Sequence, residues 1–185
     1  MRRGRIRRGT DFAELRDRCQ RRIDALDLTG PINVGILAGR LADRRGRPLH
    51  LLGISQRGPG PTGLWVATDQ GDYVFYTDLA TGLHRCHIIL HEIGHIALAH
   101  RASATLTADT ARLLAPNLDP NVVRRSLSRT NYSAVEEQEA EMFASLVMPM
   151  LDAPPGAVVP SPEDPVGETL RRFAIAFGFD EGTDV

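Results

Sequence analysis

Four of the chain's six histidines lie within the fourteen residues HIILHEIGHIALAH, at positions 87–100. Within this segment, His91, Glu92 and His95 follow the pattern His-Glu-x-x-His. On a helix, side chains four residues apart share a face, so two imidazoles at this spacing can bind one Zn²⁺. Glu92 then reaches a water whose pKa the zinc lowers. It would take the water's proton during attack on a peptide carbonyl and pass it to the leaving amine.

The alternative interpretation of this segment is a buried core helix whose histidines are satisfied by hydrogen bonds. That interpretation must explain why Glu92 lies among apolar residues, where an unpaired carboxylate would cost several kcal/mol. A zinc ion supplies the missing positive charge. Gly94 costs about 1 kcal/mol relative to alanine inside a helix, which is tolerable if something must approach the backbone there. The pattern therefore favours a metal site.

A catalytic zinc site needs a third protein ligand besides the two histidines. The subclass with a third histidine requires Gly at position 98 and His at 101, but the chain has Leu98 and Arg101. The carboxylates of AVEEQEAEMFASLVMP, residues 134–149, are the obvious alternative. The apolar residues of this helix fix its inward face, which leaves Glu136 or Glu137 as the ligand and turns Glu139 sideways. Glu141, one turn after Glu137, could accept a hydrogen bond from a ligand histidine.

The two segments together resemble the ImmA/IrrE family of zinc metallopeptidases, which are gluzincin-like. HEIGHIALAH followed by EQEAEMFASLVMP is similar to the family's histidine motif and its later Glu-x-Glu-Ala-Asn-x-Phe-Ala pattern, which ends in Met-Pro. The resemblance covers residues 48–149. It implies one Zn²⁺ held by His91, His95 and Glu137, with Glu92 as the catalytic base. Glu141 departs from the family's usual Asn, and the apolar run before Met-Pro is one residue shorter.

The same resemblance implies a function and a substrate. Members of the family cleave a helix-turn-helix repressor by limited proteolysis, so we expect a zinc-dependent metallo-endopeptidase whose partner is such a protein. A sheet edge beside the active-site helix commonly receives the substrate as an added strand in such proteases, and the hairpin of residues 64–77 is the candidate here.

The remaining pattern predicts an α+β, zincin-like fold with a small three-stranded antiparallel sheet packed on the histidine helix. The apolar spacing predicts helices at 11–28, 32–43, 83–99, 108–114, 120–127 and 134–148, and strands at 48–54, 64–68 and 72–77 in a meander. The expected organisation is a basic arm and helix at 1–30, the metallopeptidase domain at 31–150, and a proline-rich connection with a docked C-terminal helix at 151–185.

Charge is distributed unevenly, with nine arginines and three acids in residues 1–22 and eleven acids and two arginines in residues 133–185. The arginines at 124, 125 and 129 could belong to a DNA-binding helix pair, the first alternative function. The second is a metal-stabilised interaction or toxin protein without protease activity. We expect no direct contact with nucleic acid, no membrane association and a cytoplasmic location, since no export signal or apolar span is apparent. Tyr132, Arg129 and His100 are equal candidates for stabilising an oxyanion.

Overall fold

The computed structural model describes residues 12–54, 61–102, 104–106 and 132–152, with residues 104–106 described by their backbone alone. The helices predicted at 108–114 and 120–127, the C-terminal helix, the basic residues 1–11 and the arginines proposed for DNA binding lie outside these ranges. The described part combines helices with one small sheet, so the α+β class is confirmed. In that part of the chain, no helix has the length and apolar character needed to cross a membrane.

The described helices are α1 (Phe12–Asp24), α2 (Val34–Arg45), α3 (Gly82–Ala97) and α4 (Ala134–Val147), and a short 3₁₀ turn (Met148–Met150) follows α4. All four correspond to predicted helices, with ends that differ by up to four residues. Helix α1 stops short of the predicted Leu28, and Asp27 soon adopts a left-handed conformation with φ of 48°. Helix α2 is capped by the side chain of Asn33, which accepts a hydrogen bond from the Ile36 N–H at 2.9 Å.

The sheet contains β1 (Leu49–Ile54), β2 (Gly63–Thr68), β3 (Asp72–Thr77) and β4 (Ala104–Leu106), in the spatial order β1-β3-β2-β4. Strands β2 and β3 form the predicted antiparallel hairpin. Strand β1 pairs with β3 in parallel, and β4 pairs with β2 in parallel. All six residues of β3 are buried, since this strand lies inside the sheet and α3 packs on it.

The prediction of a three-stranded antiparallel meander was therefore wrong. A meander would place β2 beside β1, but β3 occupies that position. The eight residues that separate Ile54 from Gly63 far exceed a two-residue hairpin loop, so the chain has enough length to bring β2 to the far side of β3. The fourth strand was missed because three residues carry too short a pattern to recognise.

Helix α3 lies between the sheet and α4 and contributes more buried residues than any other described element, among them Ile88 to Leu90 and Glu92 to Ile96. Its contact with α4 is unusually close at Gly94, where a Cβ atom would lie 3.1 Å from the Cα and the carbonyl oxygen of Ala140. The expectation that something approaches the backbone at Gly94 is confirmed. This close approach brings the histidines of α3 beside the glutamates of α4.

A buried carboxylate joins β2 and β3 to helix α2. Asp72, which is fully buried, accepts a hydrogen bond at 3.0 Å from the indole N–H of Trp65 and pairs with Arg45 at 3.1 Å. A buried carboxylate is costly unless it is paired in this way. The pairing therefore holds α2, β2 and β3 together and fixes the position of Trp65, whose backbone contributes to the site.

Candidate metal centre

Helix α3 directs the imidazoles of His91 and His95 towards the same point, as their spacing predicts. Their Nε2 atoms lie 3.1 Å apart. His95 is fully buried, and this burial, with the neighbouring His91 and His100, lowers the pKa of His95 to about 3. His95 is therefore neutral near pH 7, as an imidazole must be to offer a lone pair to a metal.

Helix α4 begins with a capping box that sets which glutamate faces α3. The Ser133 hydroxyl accepts a hydrogen bond from the Glu136 N–H at 3.2 Å, and the Glu136 carboxylate accepts one from the Ser133 N–H at 2.8 Å. These bonds occupy Glu136 and lower its pKa. Glu137, the next residue, places its Oε2 atom 3.3 Å from the Nε2 atom of His91.

His91, His95 and Glu137 form a group that could hold a metal ion. Each offers one ligand atom, and the three atoms lie within 4.8 Å of one another. Two ligand atoms bound tetrahedrally to one zinc at about 2.0–2.1 Å would lie roughly 3.3 Å apart. The measured separations of 3.1 Å and 3.3 Å about His91 Nε2 agree with this spacing. The donor set of two imidazoles and one carboxylate also suits zinc.

Glu92 lies on the sheet side of α3 and is buried, with 7% of its surface exposed. Its carboxylate accepts a hydrogen bond from the backbone N–H of Trp65 in β2, while its Oε2 atom has no hydrogen-bond partner among the described residues. Burial, reinforced by the charge of Glu137, raises the pKa of Glu92 to about 8 although the Trp65 N–H opposes the rise. A buried carboxylate with an unsatisfied oxygen at a cluster of metal-binding side chains is typical of a proton-transfer site.

Strand β2 can lie this close to Glu92 because residue 63 is glycine. A Cβ atom at Gly63 would fall 2.6 Å from the Oε1 atom of Glu92 and 2.9 Å from the Cγ2 atom of Ile88. Neither distance is compatible with ordinary van der Waals contact. Gly63 is therefore a part of the site that sequence reasoning missed, since a glycine at the start of a strand carries no specific signal.

Glu141 lies on the exposed side of the cluster. Its Oε2 atom is 3.0 Å from the Nε2 atom of His87 and 3.7 Å from the Nδ1 atom of His91. The predicted hydrogen bond from a ligand histidine is therefore not formed at this distance, because the carboxylate is bonded to His87 instead.

His100 contacts His95 and in turn contacts Glu139, an arrangement that the sequence did not reveal. The Nδ1 atoms of His100 and His95 lie 2.9 Å apart, and the Nε2 atom of His100 lies 2.8 Å from the Oε2 atom of Glu139. Glu139 does not point sideways as predicted, since it is 5% exposed and also pairs with Arg18 of α1.

Among the three candidates for an oxyanion role, Arg129 lies outside the described residues. Tyr132 stacks on the His95 ring with centroids 3.5 Å apart.

A cleft of about 790 Å³ opens beside the cluster, between α1 and α4. Its walls include Phe12 and Leu15 of α1, His91 of α3, and Glu137 and Met142 of α4. Phe12 is 69% exposed, which leaves an apolar surface at the entrance. The cleft therefore gives a ligand with an apolar group direct access to His91 and Glu137.

Comparison with known proteins adds no further assignment to this chain. No family model, no curated protein and no solved structure matches it. The chemistry of the site therefore has to be argued from the cluster of His91, His95 and Glu137 and from the buried Glu92 beside it.

Proposed function

We propose that the chain is a zinc-dependent metallo-endopeptidase that performs limited proteolysis in the cytoplasm. The observation that carries the proposal is the convergence of His91, His95 and Glu137 within 4.8 Å, next to a buried Glu92. A site that only stabilised the fold would need ligands but no carboxylate of this kind. Bound at this cluster, zinc would act as a Lewis acid and would activate water at neutral pH.

The residues of the site would have separate chemical roles. His91, His95 and Glu137 would hold the metal. Glu92 would accept the proton of the attacking water and deliver it to the amine that leaves. The Trp65 N–H would hold the Glu92 carboxylate in one orientation during both transfers.

The edge of β2 beyond β4 is the proposed position of the substrate backbone. The backbone groups of Thr62 and Thr68 point towards β3. The Thr62 carbonyl accepts a hydrogen bond from the Thr77 N–H at 3.0 Å, and the Thr68 N–H donates one to the Gly71 carbonyl at 2.9 Å. Because this direction alternates along an antiparallel strand, the backbone groups of Gly63 and Trp65 point to the opposite edge. The Trp65 N–H is bonded there to Glu92, so the substrate would pair with the Gly63 groups and the Trp65 carbonyl. Within the described ranges, β4 pairs with residues 66–68 of β2 and not with residues 63–65. A peptide added there would pass beside Glu92.

The substrate class rests on the resemblance to the ImmA/IrrE family described above. We propose a helix-turn-helix repressor as the protein that is cleaved. The cleft beside His91 would accept an apolar side chain of this substrate, since Phe12, Leu15 and Met142 line it.

The experiment that tests the proposal compares the wild type with Glu92→Gln. Both proteins are loaded with zinc and incubated with a helix-turn-helix repressor, and products are identified by mass spectrometry. Glutamine keeps the shape of Glu92 but cannot accept a proton, so we expect equal zinc content and a loss of cleavage of about 10²- to 10⁴-fold. Glu14→Gln, the same substitution at an exposed position of α1, is the matched control and should cleave normally.

Each failure has a separate meaning. Equal cleavage by Glu92→Gln would contradict the assigned base. If zinc-loaded wild type leaves the repressor intact but cuts members of a mixed peptide library, the repressor is the wrong substrate. If it cuts neither, the enzyme proposal fails in favour of a metal-stabilised interaction protein.

A further inference from the structure

His95 is connected to the surface of α1 by a continuous series of polar contacts. The series runs from His95 to His100, then to Glu139 of α4 and Arg18 of α1. The separations are 2.9 Å between the Nδ1 atoms of His95 and His100 and 2.8 Å between His100 Nε2 and Glu139 Oε2. The side chains of His100 and Glu139 are 5% and 6% exposed, so water does not compete freely for these contacts.

We propose that His100, Glu139 and Arg18 hold His95 in the single tautomer that can bind a metal, which makes them positioning residues for the metal centre. This inference rests on the metal site proposed above and deepens it. We call the set of four residues the His95–Arg18 hydrogen-bond chain.

The direction of each hydrogen bond follows from the chemistry of the end groups. The Arg18 guanidinium can only donate, so it donates to the Glu139 carboxylate. The Glu139 carboxylate, which accepts when ionised, takes the hydrogen on His100 Nε2. The Nδ1 atom of a neutral His100 then carries a lone pair and accepts from the Nδ1–H of His95. This leaves a lone pair on His95 Nε2, the atom that lies 3.1 Å from His91 Nε2.

The backbone conformation next to His100 helps to fix the position of its ring. The preceding residue, Ala99, adopts a left-handed conformation with φ of 59°, which costs an alanine about 1–2 kcal/mol. The turn lets the His100 N–H donate to the His95 carbonyl at 3.0 Å and returns the His100 ring to the ring of His95. Such strain persists where the surrounding contacts fix it, and it is concentrated at functional sites.

The test measures zinc affinity of the full chain by competition with a chromophoric chelator. Partners that orient a ligand histidine typically contribute 10- to 100-fold to metal affinity. We expect a loss in this range for His100→Leu, which removes both contacts of the ring. His100→Gln should retain more affinity, since its amide can accept from His95 and donate to Glu139. His84→Leu is the matched control on the exposed first turn of α3 and should leave affinity unchanged.

A spectroscopic measurement separates positioning from a general effect on folding. Nitrogen-15 spectra of the histidine rings in the metal-free chain should show His95 protonated on Nδ1 in the wild type and a mixture of tautomers in His100→Leu. Should His100→Leu fail to fold, Arg18→Gln applies the same test, because the Arg18 side chain is 49% exposed and its loss leaves the core intact. We expect it to weaken zinc binding in the same direction by a smaller factor.

Two results would overturn the inference. The first is wild-type zinc affinity in a folded His100→Leu protein, or in Arg18→Gln where it replaces that variant. The second is an unchanged His95 tautomer in the variant that is measured. A wild type that binds no zinc would refute both this inference and the proposed function, whereas zinc binding without proteolysis would refute the function alone.

Discussion

Gly94 of α3 lies against Ala140 of α4 with no side chain between the two backbones, because a Cβ at Gly94 would meet the Ala140 Cα and carbonyl oxygen at 3.1 Å. We expect Gly94→Ala to push α4 outward and to destabilise the fold by about 1–3 kcal/mol, despite the better helix propensity of alanine. Since Glu137 moves with α4, zinc affinity should fall as well. Urea unfolding and chelator competition measure the two effects.

The control for this substitution is Gly39→Ala in α2, where a Cβ would meet nothing within 4 Å. Alanine there gains helix propensity without a clash, so the free energy of unfolding should rise by about 0.5–1 kcal/mol. If Gly94→Ala stabilises the protein as much as Gly39→Ala, the close contact between α3 and α4 at Gly94 is not required for folding.

Gly63→Ala should damage catalysis while it leaves the metal in place. The added methyl group overlaps the position of the Glu92 carboxylate, which must move. A displacement of about 1 Å in a reacting group can cost on the order of 10²-fold in rate. We expect a fall of that size in kcat on whichever peptide the wild type cleaves, with zinc affinity within a factor of two to three of wild type. A large loss of zinc instead would show that Gly63 supports the ligands rather than Glu92.

Glu136 and Glu137 are adjacent but should respond differently to the same substitution. Glu137→Gln removes a charged metal ligand, so zinc affinity should fall by at least 10-fold with little change in the stability of the metal-free chain. Glu136→Gln weakens the capping box with Ser133 and should cost about 0.5–1 kcal/mol of stability with zinc affinity retained. Zinc titration and thermal unfolding of both metal-free variants distinguish the roles. The opposite pattern would make Glu136 the ligand.

Cys19 should make stability depend on alkaline pH. Its thiol is fully buried in α1, and burial, followed by the charge of Glu139, raises its pKa from 9.0 to about 11. The unfolded chain loses this proton near pH 9 while the folded chain keeps it, so the contribution is complete below pH 9 and is lost as pH rises towards 11. Urea unfolding at pH 8, 9.5 and 10.5 should show a steeper loss for the wild type than for Cys19→Ala. Parallel curves would contradict the raised pKa.

The sequence predicted those parts of the site that depend on local periodicity. His91 and His95 share a helical face because of their spacing, and the helix was recognisable from its apolar pattern. The choice between Glu136 and Glu137 needed the exact start of α4, which the capping box at Ser133 sets. Residues outside a repeating pattern could not be found in this way. His100 reaches His95 through a left-handed alanine, and alanine rarely signals such a turn.

The order of the strands was likewise predicted only where it depends on residues close together in the sequence. The β2–β3 hairpin was predicted because its turn, DQGD, is short and contains glycine. The parallel partners of both strands are set by tertiary packing, which an alternating pattern does not encode. Strand β1 was therefore recognised as a strand but placed beside the wrong neighbour.

The mixed sheet also constrains the order in which the protein folds. The β2–β3 hairpin closes through a turn of a few residues, and such hairpins form in about 1–10 μs. The partners on both sides join in parallel from distant parts of the chain, so each must close a longer loop before it gains any contact. We expect the hairpin to be the nucleus and β4, which follows the entire α3 helix, to be the last strand to pair. Destabilising substitutions in the hairpin would then slow folding, whereas those at β4 would mainly speed unfolding.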